Sequence, residues 1–126
     1  MHIVLIDWRI KAVMTDDFLN YWKTKVTVND RSKMIGEFLS EPSPKVSFLW
    51  ITWDLNEEIA ADVVRYINVG LWADAAAFHD QIKGYFDPSS GPKEFEYELR
   101  RRALLKPKCW RVGGWTLPIG DSDGVL

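Results

Sequence analysis

Val63-Val64-Arg65-Tyr66-Ile67-Asn68-Val69-Gly70-Leu71-Trp72 alternates two kinds of side chain and passes without a loop into Ala73-Asp74-Ala75-Ala76-Ala77-Phe78. Odd positions supply Val63, Ile67, Val69 and Leu71, and even positions supply Tyr66, Asn68, Gly70 and Trp72. A period of two makes these the opposite faces of one strand. With the aliphatic face packed on helices, Tyr66, Asn68 and Trp72 are expected to point the other way. There they would form an aromatic and amide surface over a glycine that leaves room for a pocket.

Working outward, residues 2–10 alternate Val4, Ile6, Trp8 and Ile10 against Ile3, Leu5, Asp7 and Arg9, which predicts a strand. Thr15 reads as an N-cap with Asp16 and Asp17 in the first turn, and Phe18, Leu19, Trp22 and Val26 recur at helical spacing over residues 16–26. Residues 34–41 read as a strand in which Ile35 and Leu39 flank Glu37, ended by Pro42 and Pro44. Residues 46–55 alternate as a further short strand. A helix is expected over 73–86, with Ala75, Phe78 and Ile82 at core spacing. A loop follows at 87–92, then a second helix over 93–105 carrying Phe95, Leu99 and Arg102, which Pro107 stops. Residues 109–112 read as a last strand, and 113–126 as an irregular tail.

Without its insertions this order is βαββαβ, an α+β ferredoxin-like antiparallel sheet with helices on one face. The second face is then bare. It is expected to carry Tyr66 and Trp72 with Leu5 and Ile3, an apolar patch that a second copy of the chain could cover, giving a homodimer by sheet-to-sheet packing.

The chain has 126 residues, a formal net charge of -2 and 47% hydrophobic content, which predicts one domain over 1–126 with a real core. The near-neutral balance argues against a general attraction to nucleic acid or an anionic membrane, so neither is expected as a partner. The one cysteine, Cys109, excludes an intrachain disulfide and fits a reducing compartment. Without a basic, apolar leader or an 18-residue apolar run, the expected location is the cytoplasm. Seven tryptophans are many for this length, and some are expected at interfaces.

The stretch from Tyr66 to Trp72, with Phe78 closing six residues after the tryptophan, resembles the signature of antibiotic-biosynthesis-monooxygenase-like domains of the dimeric α+β barrel superfamily. The resemblance extends over residues 2–112, with Val4 to Arg9 matching the first strand and Phe18 to Trp22 the first helix. It implies a barrel of two face-to-face sheets with a cavity between sheet and helices in each subunit. It also implies a cofactor-independent monooxygenase that oxidises an aromatic or polyketide-like phenol with molecular oxygen. The haem-degrading branch of that superfamily uses a tryptophan and a histidine where this chain has Gln81 and Gly91. It also uses a first-strand asparagine where this chain offers Asp7 or Trp8, so haem degradation is disfavoured.

Oxygenation of this kind needs an enclosed apolar site, a group that removes the phenol proton, and a donor for the developing anion. Asn68 is the candidate anion donor and Asp7 or His79 the candidate base. Tyr66 and Trp72 are candidate walls for the substrate, and Arg9 and Arg111 candidate contacts for an anionic edge. Each has a plainer reading. Trp72 at a strand-to-helix junction can be a packing hinge, Asp7 and Arg9 an ion pair, and His79 an ordinary helix-shoulder histidine. Asn68 in mid-strand runs against propensity, which favours a role.

No cofactor and no metal are expected. His2 and His79 lack the i, i+3 or i, i+4 partners of zinc and iron sites, and no histidine neighbours Cys109 in sequence to activate it. Arg100, Arg101 and Arg102 with Lys106, Lys108 and Arg111 form the one basic cluster, diluted by Glu94, Glu96 and Glu98. The alternative to an enzyme is a non-catalytic small-molecule-binding or structural homodimer. An isomerase or lyase would use the same bases without oxygen.

Overall fold

The computed structural model describes residues 1–57, 59–82, 91–116 and 126. Its elements are β1 (His2–Lys11), α1 (Thr15–Thr24), β2 (Met34–Ser40), β3 (Val63–Trp72), α2 (Ala75–Ile82) and β4 (Arg101–Leu105). The four strands form one sheet in the order β2-β3-β1-β4, and every pairing is antiparallel. The chain is thus a small α+β protein, consistent with the ferredoxin-like class.

Register decides which residues share a face, because side chains directly opposite each other on neighbouring strands point to the same side. His2 pairs with Trp72, Val4 with Gly70, Ile6 with Asn68 and Trp8 with Tyr66. The even positions of both strands therefore lie together, and they are the side the helices cover: Val4, Ile6, Trp8, Ile10, Tyr66, Asn68 and Trp72 are all buried. This corrects the expected placement of Tyr66, Asn68 and Trp72 on the bare face. Both faces of β3 are apolar, so its own alternation does not orient it. The open side carries Ile3, Leu5, Ile67, Val69 and Leu71, each half-buried, with Phe38 of β2 alongside Val69.

Phe18 anchors α1. Its ring centroid lies 4.9 Å from that of Trp8, 5.2 Å from Tyr66 and 5.5 Å from Phe95. Burying such a side chain contributes about 2–3 kcal/mol. Thr15 lies inside the helix rather than capping it, since Met14 takes the cap position after a 3-10 turn over Ala12–Met14. At α2, Asp74 caps instead: its Oδ1 accepts the Ala76 N–H at 2.8 Å. Phe78 then meets Trp72 edge-on, with centroids 5.6 Å apart. The expected end of this helix beyond residue 82 lies outside the described residues.

Three expected elements are absent. Residues 46–55 form no sheet strand. Ser47–Leu49 is a 3-10 turn closed by an isolated bridge between Val46 and Ile51, so the stretch folds back on itself rather than joining the outer edge of β2. Residues 93–105 are not a helix. Glu96 bridges to Ile10, and the chain then extends into β4, which completes the sheet beside β1. The Phe95, Leu99, Arg102 spacing mimicked a helix, but the free edge of β1 captured the backbone. Residues 109–112 are consequently not the last strand and lie exposed.

Glu96 organises that turn. Its Oε1 accepts the Lys93 N–H at 3.0 Å and Arg100 Nη1 at 2.6 Å, and its Oε2 accepts the Arg100 N–H at 3.0 Å. Both side chains of this pair are almost fully buried, and the Arg100 guanidinium lies 5.4 Å over the Trp8 ring.

Candidate functional site

Asn68 is only 1% exposed, and both ends of its amide are used. Trp22 Nε1 on α1 donates to Asn68 Oδ1 at 3.0 Å, and Asn68 Nδ2 donates to Glu37 Oε1 at 3.1 Å. The chain of contacts runs from helix to central strand to edge strand. Each link fixes the next: the indole sets which way the amide faces, and the amide holds the carboxylate. Register makes Glu37 and Asn68 diagonal neighbours on the helix-covered side, since Leu39 pairs with Asn68 and Glu37 with Gly70.

Burial pushes the Glu37 carboxyl above its ordinary value, more than the Asn68 hydrogen bond and the Arg31 charge pull it down. A carboxylate raised in this way is a better proton acceptor near neutral pH. Beside it, Gly70 has no side chain, and the Trp72 indole occupies the space. A Cβ at position 70 would meet Trp72 Nε1 at 2.8 Å. Trp72 Nε1 is buried and has no hydrogen-bond partner among the described residues, and the same holds for His2 Nδ1 on the strand position opposite. Unmet buried donors and acceptors of this kind are uncommon and tend to mark functional positions or ordered water.

The other predicted site residues lie apart from this group. Asp7 is on the open side of the sheet, where Arg65 grips it with Nε–Oδ1 at 2.8 Å and Nη2–Oδ2 at 3.2 Å. Arg101 Nη2 reaches Oδ2 at 2.9 Å, and Arg9 Nε stands 3.6 Å from the same oxygen. Burial works to raise the Asp7 carboxyl, but the hydrogen bonds from Arg65 and Arg101, with the charges of Arg65 and Arg9, hold it below its ordinary value. His79 is exposed on α2, 3.6 Å from Asp80, and Arg111 is exposed beyond β4. Tyr66 is core, and burial raises its phenol.

The structure therefore places Tyr66, Asn68 and Trp72 on one covered face of β3 and separates them from Asp7, Arg9, His79 and Arg111. Sequence reasoning passed over Glu37 and Trp22. An acid in mid-strand flanked by apolar residues was the available signal for Glu37.

Among the described residues, cavities also lie away from this group. One of about 110 Å³ is lined by Arg9, Ile59, Ala60, Val63, Tyr97 and Glu98. The other, about 270 Å³, lies among Met1, Pro107 and Trp110. Among the described residues no cluster of three histidine, cysteine or acidic side chains could hold a metal ion, and no helix is long and apolar enough to cross a membrane.

No protein-family model matches the chain, and comparison with curated proteins finds no match.

Proposed function

We propose that this chain is a cofactor-independent monooxygenase of a phenolic or polyketide-like small molecule, with Glu37 as the proton acceptor. The observation that carries the reading is the half-buried Glu37 carboxyl, raised by burial and held in place by Asn68 and Trp22. Of the other candidate bases, Asp7 is held ionised by arginines and so is a weak base, and His79 stands in solvent away from the sheet. The resemblance of the Tyr66 to Phe78 stretch to monooxygenase-like domains supports the same chemistry.

In this reading an anthrone-type substrate gives a proton to Glu37 and becomes a carbanion. Molecular oxygen takes its electrons and adds to the ring carbon, and loss of water leaves the quinone. The Trp72 N–H, buried and without a hydrogen-bond partner among the described residues, serves in this reading as the donor for an anionic oxygen. Oxygen uptake by metal-free protein with anthrone tests this. Glu37→Gln is expected to lose about a hundredfold or more of the rate, while exposed Lys23→Ala keeps it. No uptake with anthrone or related phenols overturns the reading, and turnover under nitrogen would make the protein an isomerase or lyase.

The same proposal includes a homodimer in which the open sides of two sheets meet as a barrel. Its support is the row of half-buried Ile3, Leu5, Ile67, Val69 and Leu71, over which no helix lies among the described residues. A second, non-catalytic reading as a structural or small-molecule-binding dimer is favoured by one observation: both polar ends of Asn68 are already engaged within the subunit.

A further inference from the structure

Arg9 lies on the open side of β1 as a guanidinium that is largely buried yet poorly matched. Its side chain is 19% exposed, and its Nε has no hydrogen-bond partner among the described residues. Asp7 Oδ2 stands 3.6 Å from that Nε, and Glu98 Oε2 stands 3.6 Å from Nη1, both beyond hydrogen-bond reach. Asp7 is already engaged by Arg65 and Arg101, so it gives Arg9 a counter-charge without a bond. A buried N–H left in this way is costly, and an acceptor brought by a ligand would relieve it.

The same residue forms one wall of the cavity of about 110 Å³, with Ile59, Ala60, Val63, Tyr97 and Glu98 around it. Both flanks of this recess are pinned to the end of β1. The Ala60 carbonyl accepts the Val63 N–H at 3.1 Å, and the Asp62 carbonyl accepts the Ala12 N–H at 2.8 Å, which fixes the turn that carries the apolar residues. On the other flank, the Tyr97 N–H donates to the Arg9 carbonyl at 2.8 Å and brings Glu98 beside the guanidinium. The recess thus joins an apolar floor to a cation and an acid that stand side by side with no hydrogen bond between them.

That combination selects ligands by charge. A simple anion would satisfy Arg9 but meet Glu98, a simple cation would do the reverse, and an apolar molecule would leave both uncompensated. A zwitterion whose charges share one carbon matches both at once, through charge-assisted hydrogen bonds. We propose that the recess binds a small free α-amino acid, with its carboxylate on Arg9, its ammonium on Glu98 and its side chain against Ile59, Ala60 and Val63. The volume keeps that side chain short, since a cavity of about 150 Å³ is needed for a benzene-sized molecule. Arg9 is on the opposite side of the sheet from Glu37 and Trp72, and past the end of the row of Ile3, Leu5, Ile67, Val69 and Leu71. The site therefore needs neither the oxygenase reading nor the dimer.

Titration of the isotope-labelled full chain with L-alanine, followed by amide chemical shifts, tests this. Saturable shifts are expected at Arg9, Ala60, Val63 and Tyr97. Propionate and ethylamine are each expected to bind about tenfold more weakly or worse, because each fills only one of the charged positions. Glu98→Gln, at a half-exposed side chain, is expected to weaken alanine about tenfold and to leave propionate no weaker. Ala60→Phe fills the recess without touching either charge and is expected to abolish saturation. Propionate that binds as tightly as alanine overturns the assignment of the ligand, as does an unchanged alanine affinity in Glu98→Gln. Absence of saturable shifts with alanine, or their survival in Ala60→Phe, overturns the site itself.

Discussion

Asn68 Nδ2 and Glu37 Oε1 lie 3.1 Å apart across the boundary of β3 and β2, on the side of the sheet that the helices cover. That one donor does not offset the burial, so folding disfavours the ionised form of Glu37. Its contribution to stability is fully present below the ordinary glutamate range and is lost as pH rises through the raised folded value. Glu37→Gln keeps an acceptor for Asn68 and removes the charge. The variant is expected to melt higher than wild type at pH 7.5 and to lose that advantage at pH 4. A lower melting temperature at pH 7.5 would show that the carboxylate is net favourable.

Asp7 has the opposite sign. Its folded value is depressed, so its contribution is present above the ordinary aspartate range and is lost as pH falls through the lower folded value. Asp7→Asn is expected to be destabilised at pH 7, with the gap to wild type narrowing below about pH 4 as wild type loses the same charge. Urea unfolding at a series of pH values reads the difference, and a gap that stays constant with pH would contradict it.

The Glu96 and Arg100 pair is buried, and Glu96 also receives two backbone N–H groups. Glu96→Ala removes the buried carboxylate that Arg100 faces and releases the turn, at about 3–5 kcal/mol. Chemical denaturation should show that loss. Hydrogen exchange should show Tyr97 N–H, which donates to the Arg9 carbonyl at 2.8 Å, opening first.

Gly70→Ala places a methyl group against the body of a buried indole, with Trp72 Cδ1 at 3.3 Å as well as Nε1 at 2.8 Å. Phe78 stands behind that ring, so it cannot swing away freely. The expected loss is about 1–3 kcal/mol, read by thermal melting. Trp72→Phe in the same chain is expected to recover part of it.

Much of the sheet was legible because β1 and β3 alternate cleanly, and α1 because Phe18 and Trp22 recur at helical spacing. Orientation was not. Val69 and Tyr66 are both apolar enough to be core, and the packing of Phe18 on Tyr66 and of Phe78 on Trp72 settles which side is covered. Alternation also points to a strand over residues 46–55, but there the chain turns back on itself, Val46 bridging to Ile51, and does not join the outer edge of β2. In residues 93–105 the helix-like spacing of Phe95, Leu99 and Arg102 competed with the free edge of β1, a long-range term that local pattern does not contain. Asn68 was picked out because an amide in mid-strand is unfavourable without a partner. Its partners, Glu37 and Trp22, lie 31 and 46 residues away in the chain, beyond any spacing rule.

Gly70 and Trp72 behave as a single character spelled with two letters. A lineage that placed a side chain at 70 would have to shrink the ring at 72 in the same step or soon after, so the two positions should drift in tandem while their neighbours Val69 and Leu71 wander independently.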